Sequence, residues 1–579
     1  MRALVVLTVV LAACAPRPGP AEAPTAAPTD GAAPAPAPVG EPRAAVDATL
    51  TLRGPVDARR AEVDVELTLP LHWVPHGFES LQVRFRDEAF RKGPSGYARF
   101  VDRIHDDGSY RAWTPEFERP SSGSLRVRYR VRLDHHEYDP VVGLDEVPHP
   151  TARGWFVNGR AILPTVHVVT AGDRQREIDL AATLRLSLPE GWSSASSVAA
   201  GAGPSWQASS LAELRHALYY TGRFLERRVQ VGGTTLDLVT QDFTAEQLAP
   251  LERLTTRTLE RASVLLGALP AERLLLVVDR GAERAGGVVG KGISLLYDRE
   301  PDDRASSPMG VVVVHELIHL WNRADAWWLN EGVTRYFEQV LAARLDGVGA
   351  REAGQRLADL ATRYGAVHTR ASVAEATESE AYAAGALWAF CVDAELRAAS
   401  SSLFAVHRAA REAAGSGRAL SSEGFLRALQ QASPEVYRYA AQLLAAPGPI
   451  DVTPCLKRAG YGVRVREVQS FTAEALALQV LGISGHDVDS ATVLRVQPAS
   501  PLRAGDEILR VGRAPVRSMD EVSEALASLR PGTRALLSVR RGAGEERVGV
   551  VVPDLPADKR LRRKRWVVTS APATSPLTD

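Results

Sequence analysis

"HELIHLWNRADAWWLNEG", residues 315–332, sets two histidines four positions apart around a glutamate and carries a further glutamate beside a glycine near its end. The preceding "MGVVVV" is apolar and β-branched, so taken alone this run suits a buried strand or a buried helix. In a helix, positions four apart share a face, which turns both imidazoles towards one point. A strand would also place them on one face, but about twice as far apart and without Glu316 leaning the same way. Neutral imidazole is a preferred zinc ligand, and a catalytic zinc takes three protein ligands and leaves its fourth position to water. His315 and His319 supply two ligands, and Glu331 is the candidate third. The stretch "WWLNEGVTRYFEQVLAARL" reads as a second amphipathic helix with Glu331 in its first turn, and "NRADA" supplies the reversal between the two helices. Glu316 is then the candidate general base. Core or surface histidines without a metal are the plain alternative. The bare HExxH pattern is only moderately specific, but the same pattern followed by a helix with a spare glutamate is much rarer.

Working outward, 579 residues exceed what one hydrophobic core organises, so several domains are expected. Lys+Arg and Asp+Glu are equal at 69 each, which gives no global electrostatic reason to expect nucleic acid as a partner. The opening "MRALVVLTVVLAAC" has one early positive charge, an apolar run too short to span a bilayer, and small residues before Cys14, the pattern of an export signal. "LAAC" resembles the bacterial lipoprotein signal, which implies Cys14 as an acylated mature N-terminus and a lipid-anchored place in the cell envelope, on the outer membrane at its periplasmic face or surface. An ordinary secretory signal is the alternative. Cys391 and Cys455 remain. They could form one disulfide, but they are expected in different domains and to be structural.

Residues 15–45 are Pro- and Ala-rich and read as a disordered tether. Residues 46–227 alternate in short runs between Gly, Pro and Asp turns, which predicts an antiparallel β domain. A catalytic domain is expected over 228–450: strands around the amphipathic "AEQLAPLERLTTRTLERASVLLG", then mostly helices. The turn-rich "APGPIDVTP" marks the next boundary. Strands around one helix follow over 451–556, and 557–579, with "DKRLRRKRW", reads as a basic, solvated tail.

"HELIHLWN" with "WWLNEGVTRYF" resembles the gluzincin metallopeptidases, and "HxWN" and "EGxTxY" are most similar to the glycyl aminopeptidase group, peptidase family M61. "AYAAGALWAFCVDAELRAAS" resembles that group's segment after the zinc helices. The order of export signal, β domain, zinc domain and terminal PDZ domain agrees. The resemblance implies a multidomain α+β protein with a thermolysin-like zinc peptidase domain and one Zn2+ per chain. It also gives Tyr382 the role of second donor to the carbonyl oxygen of a peptide substrate. Gly286, Gly287, Val288, Val289 and Gly290 correspond to the edge strand that pairs with substrate; a plain loop is the alternative. This chain departs from the group in three ways. The spacing between His319 and Glu331 is shorter, Val289 stands where a glutamate grips the substrate's free amine, and Ala384 stands where a lysine is often found. "LGI" at 481–483 with "TVLRVQPASPLRAGDEILRVGRAPV" resembles a PDZ domain of the bacterial type. That implies a carboxylate loop at Leu481, Gly482 and Ile483 for a C-terminal peptide, with simple packing against the peptidase as the alternative. Together these readings predict a lipid-anchored zinc metallopeptidase, aminopeptidase or endopeptidase. The rival is a non-catalytic peptide-binding lipoprotein.

Overall fold

The computed structural model describes residues 46–53, 62–70, 78–84, 101–105, 116–118, 124–132, 149–150, 153–170, 174–177, 181–198, 204–269, 271–281, 285–297, 299–367, 372–415, 418–472, 475–486, 490–542, 544–556 and 559–578. Cys14 and the tether expected over 15–45 lie outside these residues. None of the described helices is long and apolar enough to cross a membrane. The chain divides into two compact units, one running to Thr256 and including Ala271–Pro301, the other holding Arg257–Pro270 and Asp302 onward.

The first unit is β-rich. A six-stranded sheet places Val46–Arg53 between Glu62–Pro70, antiparallel to it, and Ala182–Ser187, parallel to it. The expectation of a purely antiparallel domain therefore fails at this pair, whose strands are far enough apart in sequence for a parallel crossover. A five-stranded sheet is formed by β1 (Leu225–Val231), β2 (Thr234–Thr240), β3 (Arg273–Arg280), β4 (Ala285–Val289) and β5 (Gly292–Tyr297), in the order β1-β2-β3-β5-β4. The parallel step from β2 to β3 is made by α1 (Ala245–Leu266), which buries Leu248, Leu251, Leu254, Leu259 and Leu266 at helical spacing. This sheet was expected to belong with the zinc helices from residue 228 on. Instead Val239, Leu275, Val277 and Val289 share one core with Phe156, Ala195, Leu218 and Tyr220, so burial assigns it to the β-rich unit.

The second unit is helical and then closes with strands. Its helices are α2 (Pro308–Ile318), α3 (Thr334–Leu345), α4 (Ala350–Val367), α5 (Glu378–Ala398), α6 (Leu403–Ala414), α7 (Ser422–Ala432), α8 (Pro434–Ala445) and α9 (Thr453–Arg458). Buried side chains on α5 reach its neighbours: Asp393 accepts from the Tyr336 hydroxyl at 2.6 Å and from the Leu403 backbone at 2.6 Å, and Trp388 donates to the Ala440 carbonyl at 3.0 Å. A disulfide joins Cys391 on α5 to Cys455 on α9 across 64 residues. The two cysteines expected in different domains thus tie the helical bundle to the segment leading into the terminal domain.

That domain buries Phe471, Leu476, Leu481, Ile483, Val493, Ile508, Val522, Leu526, Leu537, Val539 and Val550 in its own core. Its strands include β6 (Gly462–Phe471), β7 (Glu507–Val511), β8 (Arg534–Arg541) and β9 (Gly544–Val551), and its helix is α10 (Met519–Ala527). The basic tail expected over 557–579 is corrected here: Arg560–Ser570 forms strand β10, antiparallel to β6. Alternation gives the reason, because successive side chains of a strand face opposite ways. Arg563 and Arg565 turn to α10, where Arg563 donates to Asp520 at 2.7 Å and to Glu524 at 3.2 Å, and Arg565 pairs with Glu521 and Glu524. Trp566 and Val568 are buried, and their backbones exchange hydrogen bonds with the Gln355 side chain of α4 at 3.1 and 2.8 Å.

Candidate metal centre

Helix α2 starts cleanly. The Ser307 hydroxyl caps it by accepting from the Gly310 amide at 3.0 Å, and Pro308 occupies the first turn, where a missing N–H costs nothing. The strand alternative is thereby set aside. His315 lies in its last turn and His319 at its C-cap, so both imidazoles stand at the end of the helix whose partial negative charge favours a cation. The end is pinned by Trp321, whose indole donates to the Gly267 and Ala268 carbonyls at 2.9 and 3.1 Å.

The reversal read at "NRADA" is held from outside. Asp325 accepts from the Ser422 amide at 2.9 Å and from its hydroxyl at 2.6 Å, and Ala324 bridges to Leu420. Glu331 then sits in a turn of π-helix, Trp328–Val333, that runs directly into α3. This segment was expected to be an amphipathic α-helix. Its first turn is wider, and Trp328–Glu338 is buried on every side. A π turn inserts one extra residue and so rotates a side chain relative to the helix that follows, a device frequent at functional sites.

These elements bring three ligand atoms together. His315 Nε2 lies 3.1 Å from Glu331 Oε2 and 3.1 Å from His319 Nε2, and His319 Nε2 lies 3.4 Å from Glu331 Oε2. Ligands about 2.0–2.1 Å from a tetrahedral ion stand roughly 3.3 Å apart, so the residues present fit zinc. Among the described residues this is the one His/Cys/Asp/Glu group placed to hold a metal, and all three members are buried. The outer nitrogens fix the tautomers. His319 Nδ1 faces the Asn322 carbonyl at 3.1 Å, which can only accept, so Nδ1 carries the proton and Nε2 keeps its lone pair. His315 Nδ1 faces Glu338 Oε2 at 3.1 Å, and Arg335 donates to both Glu338 oxygens at 2.8 and 2.9 Å. The free oxygen of Glu331 accepts from Asn330 Nδ2 at 2.6 Å.

Two buried carboxylates, Glu331 and Glu338, flank the His315 ring. Burial pushes the His315 imidazole down, but hydrogen bonds with Glu331 and Glu338 and the Glu316 and Glu331 charges outweigh it and raise it to about 10. Burial pushes Glu331 up, yet the His319 charge and the imidazole hydrogen bonds hold its carboxyl well below the usual range. Glu316, between the two histidines, is 2% exposed.

Tyr382 is also at the site. Its ring centroid is 5.5 Å from that of His315, at 31° to it. Two glycines allow this approach: a methyl group built on Gly385 would lie 2.7 Å from the Gly332 Cα, and one on Gly332 would lie 2.6 Å from the Ala381 carbonyl. Ala384, where the resembling group often has lysine, is fully buried, so a charged side chain there would have to be desolvated.

The other expected residues are placed as follows. Gly286, Gly287, Val288 and Val289 lie on β4, at the end of the five-stranded sheet, and Gly290 makes the turn to β5 with φ +60°. Val289 is buried and apolar, with no carboxylate to meet an ammonium. Leu481 ends a second π turn, Gly482 has φ +63°, and Ile483 begins the strand Ile483–His486. The Leu481 and Gly482 carbonyls are taken by the Ser500 hydroxyl at 2.9 Å and the Gln497 amide at 2.9 Å. Sequence reasoning did not single out Glu338 and gave no role to Asn322, the last residue of the HxWN element. Glu338 is legible in retrospect as a carboxylate two helical turns after Glu331.

Residues 459–552 match the PDZ domain family. Among curated proteins none matches this chain. Among solved structures, the chain is similar to an aminopeptidase N family protein from Idiomarina loihiensis. The two share 15% identity over 89% of this chain and 97% of the other, with a TM-score of 0.59. An M1 zinc metallopeptidase from Deinococcus radiodurans shares 18% identity over 70% of this chain and 96% of that one, with a TM-score of 0.46. The chain therefore carries a C-terminal PDZ domain and has the fold found in the aminopeptidase N family protein.

Proposed function

We propose that this protein is a zinc-dependent metallopeptidase of the cell envelope, similar in domain order to the M61 group and lipid-anchored through Cys14. The observation that carries the catalytic reading is the convergence of His315 Nε2, His319 Nε2 and Glu331 Oε2 within 3.1–3.4 Å, with both outer ring nitrogens already hydrogen-bonded. Zinc, when bound, supplies a water whose pKa falls from about 15.7 towards about 7 and a Lewis acid for the scissile carbonyl. Glu316 takes the proton of the attacking water and returns it to the leaving amine. Tyr382 donates to the carbonyl oxygen as negative charge develops there. The glycines of β4 allow a peptide backbone to approach closely as an added strand. Val289 in place of a glutamate favours endopeptidase or relaxed exopeptidase action, because the free amine of a substrate has no carboxylate there. The PDZ loop at Leu481–Ile483 is a second place for a peptide, one ending in a free carboxylate.

The test is zinc content together with cleavage of a peptide library by wild type and Glu316→Gln. Wild type should carry stoichiometric zinc and cleave. The variant should keep the metal and lose about 10²–10⁴-fold in rate. Equal cleavage of free and N-acetylated peptides identifies an endopeptidase. Zinc without cleavage in wild type would refute the peptidase and leave a peptide-binding protein.

A further inference from the structure

The side chain of Asn322 is completely buried and belongs to none of the roles above. Its amide donates towards three acceptors, the Leu329 carbonyl at 2.8 Å, the Asn330 carbonyl at 3.1 Å and the Thr334 hydroxyl oxygen at 2.8 Å. Thr334 in turn donates to the Asn330 carbonyl at 2.5 Å. These groups belong to the π turn that carries Glu331 and to the first residue of α3. The backbone carbonyl of the same residue accepts from His319 Nδ1 at 3.1 Å. One residue therefore touches both halves of the ligand set, the ring of the second histidine and the turn of the carboxylate. Its orientation is fixed from a third element. His407, fully buried on α6, has Nε2 3.1 Å from Asn322 Oδ1, and since an amide oxygen can only accept, that nitrogen bears the proton.

The wide turn needs such a clamp. A π turn leaves its carbonyls without regular α-helical partners, and buried carbonyls without donors are costly. Asn is the small side chain that offers two N–H donors at one end and an acceptor at the other. Aspartate keeps the shape but has no donor for the two carbonyls, and alanine has neither.

We propose that Asn322 is a positioning residue of the metal centre, fixing the His319 ring and the Glu331 turn relative to each other, with His407 locking the orientation of its amide. The inference rests on the zinc reading above. It goes beyond the ligand set, because it assigns metal affinity to a residue that touches no metal.

The experiment compares the full chain as wild type, Asn322→Ala, Asn322→Asp and His407→Leu, each stripped of metal with a chelator. Zinc affinity is measured against a competing fluorescent chelator, and coordination by the visible absorption of the Co2+ form. Neither Asn322 substitution removes the backbone carbonyl that faces His319 Nδ1; both remove the amide that holds this carbonyl and the Glu331 turn in place, and a displaced outer partner of a metal ligand weakens binding by up to about 10–100-fold. That is the loss expected for Asn322→Ala and Asn322→Asp, with an altered Co2+ spectrum, and His407→Leu should fall between them and wild type. A residue that only supports the fold would lower the melting temperature of the metal-free protein and leave affinity and spectrum as they are. If all folded variants bind zinc within about twofold of wild type with an unchanged spectrum, the inference is wrong while the zinc reading stands. Wild type that takes up neither metal would overturn that reading itself. Should the Asn322 variants fail to fold, His407→Leu, which leaves every Asn322 atom in place, decides the question by the same two measurements.

Discussion

Replacing Gly385 by alanine tests whether the closeness of α5 to the Glu331 turn matters for chemistry. A methyl group there would lie 2.7 Å from the Gly332 Cα and closer still to the Trp328 carbonyl oxygen. Carbon atoms rest about 3.5–4.0 Å apart, so α5 must retreat from the turn by about 1 Å. Both neighbours are backbone, which cannot swing aside as the end of a long side chain can. Overpacking of this kind costs about 1–3 kcal/mol, readable as a lower denaturant midpoint. Tyr382 rides on α5 one turn before Gly385, whereas His315, His319 and Glu331 belong to α2 and the turn. A displacement of about 1 Å costs on the order of 100-fold in rate when it moves a group that stabilises the transition state. Gly385→Ala should therefore retain stoichiometric zinc while kcat falls by about that factor. A variant with wild-type kcat and an unshifted midpoint would show that the two backbones do not need to touch and that Tyr382 is not where it acts.

Three further outcomes follow from other parts of the molecule. Burial raises Asp279 from 3.8 to about 7, although the Tyr220 hydroxyl and Gln241 amide bond to it and pull the other way. Because the folded value is the higher, its stabilising contribution is complete below about pH 4 and is lost as pH rises to about 7, on the order of 4 kcal/mol in all. Unfolding of wild type and Asp279→Asn between pH 4 and 7 should differ by that slope, and parallel curves would contradict it. Opening the Cys391–Cys455 bridge by a double serine substitution frees a 64-residue loop, which lowers stability by about 4 kcal/mol on chain-entropy grounds; an unchanged midpoint would show the bridge to be idle. Ending the chain at residue 552 removes buried Trp566, Val568 and Leu577 and leaves Asp520, Glu521 and Glu524 without Arg563 and Arg565, a loss on the order of 5 kcal/mol. A shortened protein as resistant to protease as the full chain would refute that estimate.

That His315, His319 and Glu331 are candidates for one metal site was legible in residues 315–331, because metal chemistry demands particular side chains at helical spacing, and the structure brings their ligand atoms together. The backbone that presents Glu331 was not readable, since a π turn differs from an α turn by one residue of phase and leaves no mark in composition. Asn322 was part of the HxWN element without a role of its own, and Glu338 looked like an ordinary polar residue, until their partners were known. The strand at 560–570 was misread for a related reason. A run of basic residues looks solvated, and only the acidic face of α10 reveals that Arg563 and Arg565 are paired. The five-stranded sheet was assigned to the wrong neighbour because alternation identifies a strand without saying which core its buried face will share.

The pairing of β6 with β10 has a consequence for how the chain is made. Residues 462–471 leave the ribosome well before their only sheet partner among the described residues, 560–570, has been translated. Until then a ten-residue edge is open to any extended chain nearby. Closure waits for residues 560–570, so a molecule clipped or stalled before them carries its own adhesive flag. Translation past residue 570 is thereby something the folded state itself can report.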